Sequence, residues 1–234
     1  VAQADNVFPI PDNLDFAAAT NFPTIYATAY GALVWQARMQ AGETLLVHGA
    51  GGGSGLAAVD VGKVLGATVV ATAGDAAKLA AAKEAGADHL INYRQGNFRD
   101  AVLELTNGRG ADVIFDPVGG TVFDQSLRCI APEGRIFPIG FAGGTIPKIP
   151  ANILLVKNIS VHGIYWGYYG GWAKQPRTPE IIARLHGAMK TMFQWQEAGR
   201  LHPLVHGTYD LADFAKALDV ISQRQAIGKV VLTP

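Results

Sequence analysis

Residues 44–55 read TLLVHGAGGGSG: a short apolar run, Thr44 to His48, breaks into the glycine loop Gly49-Ala50-Gly51-Gly52-Gly53-Ser54-Gly55. Beyond the loop, Leu56, Val59, Val64 and Leu65 recur at helical spacing, with Asp60 and Lys63 as the polar members. Strand, glycine turn and helix in that order are the setting a dinucleotide fingerprint requires. A side chain in the loop would block the turn, keep a pyrophosphate from the backbone N–H groups, or hold the helix off the strand. Phosphates bound there sit at the positive end of the helix.

The same alternation continues outward. Thr68–Ala73 (TVVATA) reads as a strand, and Asp75–Ala85 as an Ala-rich helix closed by Gly86. His89–Tyr93 is a strand, Asn97–Thr106 a helix, Ala111–Asp116 a strand and Thr121–Cys129 a helix. Gly134–Gly140 makes a fifth strand and Ile159–Tyr165 a sixth, followed by an aromatic, Gly-rich stretch through Trp172. A long helix runs from Pro179 to Ala198 with Ile182, Leu185, Met189, Met192 and Phe193 on one face. Leu211–Ser222 is a helix and Lys229–Thr233 a terminal strand; two more helices are expected near Phe16–Ala19 and Thr24–Ala37. Near-continuous apolar strands between helices predict an α/β fold, a Rossmann-type doubly wound parallel sheet covered on both faces in the order 3-2-1-4-5-6.

Composition narrows the function. Of 234 residues only 16% are charged against 49% hydrophobic, below the usual quarter for charge, so the chain hides much of its surface. The 19 basic and 19 acidic side chains cancel, which argues against a nucleic-acid partner. A single cysteine, Cys129, can form neither an internal disulfide nor a thiolate zinc site, pointing to a reducing, cytoplasmic compartment. No apolar run approaches the roughly 20 residues that span a bilayer, and Asp5, Pro9, Pro11, Asp12 and Asp15 are foreign to a signal peptide.

Competing motifs fail on particular residues. Gly62-Lys63 lacks the Ser/Thr and upstream glycine of a P-loop. Ser54 is not centred in G-x-S-x-G. No tyrosine precedes a lysine by four positions, and the six histidines show no HExxH, so no metal ligands are assigned. His48 and His89 are expected to be packed in or beside strands.

The segments LLVHGAGGGSG, VVATAGDAAKLAAAKEAGADHLINYR, ADVIFDPVGG, KNISVHGIYWG and GKVVL resemble the medium-chain dehydrogenase/reductase superfamily, and within it the zinc-free NADPH:quinone oxidoreductase (zeta-crystallin-like) family. The likeness runs from about Phe22 to the C-terminus, with Ala50, Gly52 and Gly55 matching the family's Ala-x-Gly-x-x-Gly.

The resemblance implies a cofactor, NADPH, and its contacts. NAD enzymes place an acid at the end of the second strand to accept from the ribose 2′-OH; the family position there is Ala73. Members preferring NADPH use the next glycine, a lysine four residues on and a tyrosine after the third strand, which are Gly74, Lys78 and Tyr93 here. Asp75 stands close enough to serve a 2′-OH instead, but reads as the N-cap of the next helix. Gly51, Gly52, Gly53, Ser54 and Gly55 would take the pyrophosphate. Thr28, Val118, Gly119, Ile139, Gly140 and Phe141 would line the ribose and nicotinamide slot, while Asn152 and Lys229 resemble further cofactor positions.

Family members begin with a GroES-like catalytic domain of roughly 100 residues, and the resemblance implies that most of it lies outside this sequence. The expected division is residues 1–27 as a remnant or linker of that domain, 28–170 as the NADP-binding domain, 171–200 as a long helix completing its layer, and 201–234 as a return to the catalytic domain. The terminal strand Lys229–Leu232 would then lack its usual partners. The implied activity is hydride transfer from NADPH to quinones or α,β-unsaturated carbonyls. The alternatives are an enoyl reductase or alcohol dehydrogenase relative, and a non-catalytic NADPH-binding module. No catalytic acid is named, since Tyr26 and Tyr30 qualify by residue type alone. A homodimer is expected through the strand near Ile159–Tyr165.

Overall fold

Leu45 and Val47 bury their side chains on one face of a sheet and Leu46 buries its own on the other, so the first strand is covered from both sides. The computed structural model describes residues 2–234. In chain order come α1 (Phe16–Ala19) and a helical run, Phe22–Gln36, whose middle turn α2 (Ala27–Tyr30) lies between wider π-type turns. Then follow β1 (Thr44–Val47), α3 (Gly53–Val64), β2 (Thr68–Ala73), α4 (Ala76–Glu84), β3 (His89–Asn92), α5 (Phe98–Leu105), β4 (Ala111–Asp116) and α6 (Thr121–Cys129). The second half holds β5 (Ile130–Pro138), α7 (Ala151–Lys157), β6 (Ser160–Val161), α8 (Trp166–Gly170), α9 (Pro179–Glu197), β7 (Val205–Asp210), α10 (Phe214–Ser222) and β8 (Lys229–Thr233).

The main sheet is parallel throughout, in the order β3-β2-β1-β4-β5-β6. It is a doubly wound Rossmann-type sheet, as its alternating pattern predicts. Strand order reverses between β1 and β4, and the crevice at that switch opens at the carboxyl ends of the strands. One face packs on the 22–36 run, α3 and α9 through Phe22, Leu33, Val61 and Met192. The other packs on α5 and α6 through Phe98, Val102, Phe123 and Leu127.

Three elements depart from the sequence reading. β5 begins at Ile130, four residues early. Ile130 pairs with Ala111, the exposed Pro132 and Glu133 loop out with Glu133 at φ 62, and pairing resumes at Arg135. The sixth strand, expected over Ile159–Tyr165, shrinks to Ser160–Val161, and Trp166–Gly170 winds into a helix, Trp166 and Tyr169 burying their rings against Trp35. Finally, β8 has a partner strand that the sequence reading did not assign. It pairs in parallel with β7, Tyr209 opposite Leu232, within the C-terminal segment itself.

Candidate functional site

Most of the crevice wall at the switch comes from loops that follow strands. Gly49, at φ 58, turns the chain out of β1, and Ala50 N–H donates to Thr72 O at 3.0 Å, tying the loop to β2. A Cβ on Gly55 would stand 2.4 Å from Gly49 O and 2.7 Å from Ala50 Cα, so only glycine lets α3 start this close to the strand. Gly52 is different: a Cβ there would meet nothing nearer than 3.5 Å. Its surface faces open space, and it caps α3 without a side-chain hydrogen bond. The first-turn N–H groups of a 12-residue helix therefore have no side-chain acceptor, and they carry the positive end of the helix dipole.

Beside this platform a cavity of about 260 Å³ is lined by Gly49, Gly51, Gly52, Ala73, Gly74, Lys78, Tyr93 and Val118, and by Ala142, Gly143, Ile221, Arg224 and Ala226. Four groups gather at its Gly74 end. A Cβ on Gly74 would lie 2.6 Å from Tyr93 Oη and 3.1 Å from Arg94 Nε, so both side chains stand over that glycine. Lys78 Nζ lies 3.3 Å from Asp75 and donates to Arg224 O at 2.5 Å. Asp75 is the N-cap of α4, as its position suggests, accepting from Lys78 N–H at 2.9 Å. That N–H bond chiefly holds its carboxyl below the usual range, with help from the Lys78 ammonium and Arg94. The cation set thus exceeds the one acid, which is already committed.

A second cavity, of about 560 Å³, adjoins the first and shares Gly49, Tyr93, Val118 and Arg224 with it. His48, Thr72, Gly96, Asn97, Phe98, Val122 and Gln125 complete its lining. Its floor is a closed polar chain. Ser126 Oγ donates to Val122 O at 2.7 Å, so its only proton is committed and it must accept from His48 Nε2 at 2.8 Å. His48 Nδ1 then accepts from the Thr72 hydroxyl at 2.9 Å. Burial pulls the imidazole down to about 3, so His48 is a neutral, fully partnered group.

The opposite wall is set by Asp116 at the end of β4. One carboxylate oxygen accepts from Val118 N–H at 2.8 Å and Gly119 N–H at 3.0 Å, while the other has no partner among the described residues. Burial raises this carboxyl, and the two N–H bonds only partly offset the rise. Val118 O in turn accepts from Gly143 N–H at 2.9 Å, fastening the loop after β4 to the loop after β5.

The structure thus brings Gly51, Gly52, Gly74, Lys78, Tyr93 and Val118 to one cleft, with Gly53, Ser54 and Gly55 as the first turn of α3 behind it. Thr28, Ile139, Gly140, Phe141 and Lys229 are outside the lining of both cavities. Thr28 donates its hydroxyl to Thr24 O at 2.7 Å, and Phe141 is exposed. Half-buried Lys229, its ammonium disfavoured by desolvation, follows Gly228, which donates to Gly51 O at 3.0 Å. Asn152 lies in a different cavity, with Asp124, Arg128 and Lys157. Tyr26 turns its hydroxyl to Asp60, and Tyr30 packs its ring on Trp35 and Trp195.

Arg224, Arg94 and the His48–Thr72–Phe98 floor escaped the sequence reading. Arg224 arrives from the far C-terminal segment, at φ 59 after α10, and no local spacing signals that return. Among the described residues, no group of three or more His, Cys, Asp or Glu is disposed to hold a metal, and no helix is long and apolar enough to cross a membrane.

Comparisons with known proteins agree with this geometry. A family model described as "Zinc-binding dehydrogenase" matches residues 53–186. A curated relative, "Quinone oxidoreductase-like protein 2" of Bos taurus, is 39% identical over 97% of this chain and 63% of its own length. The chain therefore spans a little under two thirds of that relative. Among solved structures, Escherichia coli quinone oxidoreductase complexed with NADPH is 27% identical, with a TM-score of 0.87 over 99% of this chain and 69% of that one. The CurK enoyl reductase is also 27% identical, with a TM-score of 0.84 over 99% of this chain and 67% of that one. Sheet order, glycine loop and these matches lead to one conclusion: the chain belongs to the zinc-binding dehydrogenase family of medium-chain dehydrogenase/reductases, in its quinone oxidoreductase-like branch.

Proposed function

We propose that this chain binds NADPH and serves as the cofactor-binding part of a zinc-independent oxidoreductase that delivers hydride to quinones or α,β-unsaturated carbonyls. The observation that carries the reading is the Tyr93 hydroxyl and Arg94 standing over Gly74, with Lys78 and Arg224 lining the same cleft as the open face of Gly52. A 2′-phosphate suits that cluster, because a lysine is a compact point charge and an arginine a forked donor. Ala73 offers no carboxylate to repel it, and Asp75 is engaged as an N-cap. The pyrophosphate fits the α3 N-terminus at Gly52–Gly55, where a Cβ would otherwise intrude. The larger cavity, with Phe98 at one side and a neutral polar floor, suits an adenine ring.

Bound NADPH supplies a hydride from its nicotinamide ring. The chain's own part is to fix the cofactor along the switch crevice. The Asp116-held loop at Val118 and Gly119 and the loop at Ile139–Phe141 border the side on which the nicotinamide would lie, and they would hold it in line for transfer. We retain residues 28–170 as the cofactor-binding unit, 171–200 as the helix completing its layer, and 1–27 and 201–234 as belonging to the catalytic domain. A homodimer through the exposed β6 edge and a cytoplasmic location complete the proposal. The edge offers two paired residues, with exposed Leu155, Val156 and Tyr165 nearby.

Titration with NADPH and NADH, followed by tryptophan fluorescence, tests the cofactor. NADPH should bind more tightly, and Lys78→Ala should remove about 1–3 kcal/mol of NADPH binding, the scale of a charge-assisted contact. Equal or tighter NADH binding would make Asp75 a ribose acceptor and refute the reading. The likeness to the CurK enoyl reductase favours one second reading, an enoyl reductase. Turnover of thioester enoyl substrates in preference to quinones, measured on a protein that includes the remaining domain, would select it.

A further inference from the structure

Asp60 is a carboxylate 2% exposed in the middle of α3, outside the lining of both cavities, and no part of the cofactor reading uses it. Three groups from two distant segments meet on it. The Tyr26 hydroxyl, from the 22–36 run, donates to Oδ2. His202 N–H donates to the same oxygen at 2.7 Å, and His202 Nδ1 stands 3.3 Å from Oδ1.

His202 opens the segment that returns to the glycine loop. Two residues on, Leu204 O accepts from Lys229 N–H at 3.0 Å, and β7 begins at Val205 opposite Lys229. Gly228 then donates to Gly51 O at 3.0 Å and bridges Gly52. Arg200 adds a third tie, donating to Val64 O at 2.7 Å at the end of α3. The C-terminal return therefore runs antiparallel along α3, attached at Val64, at Asp60 and at the glycine loop. It delivers Arg224 and Ala226 to the wall of the cleft. At the same loop Ile25 closes in: a Cβ on Gly53 would stand 3.0 Å from Ile25 Cδ1, one residue from Tyr26, and 3.6 Å from Gly228 O.

We propose that Asp60 is a positioning residue that seats both flanking segments against the glycine loop, and through Arg224 sets how tightly a 2′-phosphorylated cofactor is held. The second half of this statement rests on the NADPH reading; the first does not. An apolar pair of similar volume could fill the same space, and such replacements often keep or raise stability. The carboxylate does what the apolar pair cannot, accepting from the His202 backbone and fixing where the return begins.

The test is the double variant Tyr26→Phe/Asp60→Leu beside Asp60→Asn, read by amide hydrogen exchange and by NADPH and NADH titration. The double variant should keep its thermal midpoint, while the Gly228 and Lys229 amides exchange roughly tenfold faster, on the scale of one charge-assisted hydrogen bond. The amides of His48 and Ile139, bonded to Phe115 O and Asp116 O, should stay protected. NADPH affinity should fall about tenfold more than NADH affinity, and Asp60→Asn, which keeps an acceptor for Tyr26 and His202, should restore both. Unchanged exchange at Gly228 and Lys229, or protection lost equally across the whole sheet, would overturn the proposal. Should the parent chain bind no NADPH, the cofactor reading fails while the exchange comparison still decides the role of Asp60.

Discussion

The Lys78 ammonium donates to the carbonyl oxygen of Arg224 at 2.5 Å, joining the first turn of α4 to the loop after α10 across the mouth of the cleft. Arg224 holds a left-handed conformation, φ 59, to present that carbonyl, and its guanidinium reaches toward Ala142 O at 3.5 Å. One residue thus touches both rims of the crevice.

Arg224→Ala should discriminate between cofactors. It removes a guanidinium from a cleft that Lys78 and Tyr93 also line, but leaves the α3 N-terminus intact. NADPH binding is expected to weaken by about 1.5–3 kcal/mol, the range for hydrogen bonds to charged groups, with NADH binding nearly unchanged. Calorimetric titration of both cofactors against both proteins measures this. An equal loss for the two would show that Arg224 acts on the cleft's shape instead.

Gly55→Ala should harm the fold before it harms anything else. Its Cβ would sit 2.4 Å from backbone oxygen, which cannot rotate away. Overpacking of this kind destabilises by about 1–3 kcal/mol. Urea unfolding should show a lower midpoint with an unchanged slope. Gly52→Ala meets open space instead, so it should leave the midpoint alone while obstructing a phosphate.

Acid should weaken the protein through His48. Its folded-state pKa is depressed to about 3 by burial, below the ordinary 6.5. The unfolded chain therefore takes up a proton first, and this contribution is present above 6.5 and lost as pH falls toward 3. The slope approaches about 1.4 kcal/mol per pH unit. His48→Gln should be less stable at neutral pH by about 1–3 kcal/mol, through hydrogen bonds left unmade to Thr72 and Ser126. Its stability should then fall less steeply on acidification, which a series of urea midpoints against pH would reveal.

Asp60 works in the opposite sense. Burial raises its pKa above the ordinary 3.8 despite the donors from Tyr26 and His202. A raised acid favours folding most below 3.8, and that contribution is lost as pH rises through the folded value. Asp60→Asn carries no charge to bury, so its stability relative to the parent should grow from acid to neutral pH. A difference that is flat with pH would mean that Asp60 has the same pKa in the folded and the unfolded chain.

Sequence alone determined the strand–helix alternation and the glycine platform, because these depend on local facts, and the sheet order followed from the doubly wound fold type they imply. An apolar run of four to six residues, a glycine that admits φ above zero and a helix at the next turn are each written within a dozen positions. The N-cap at Asp75 and the helix bounds Thr121–Cys129 were legible for the same reason, a polar side chain or a period within one turn. Tertiary structure decided what depends on distant partners. β8 finds β7 because the two lie in one returning segment, and Val205–Asp210, alternating half-buried and exposed, carries too weak a pattern to be read alone. The sixth strand stops at Val161 because the Trp166 and Tyr169 rings find a pocket beside Trp35, and that burial outweighs extended propensity. Arg224, Arg94 and Asp60 acquire their roles from neighbours that only the folded chain supplies: a carbonyl 146 residues away from Lys78 for the first, the bare Cα of Gly74 for the second, and the His202 backbone for the third.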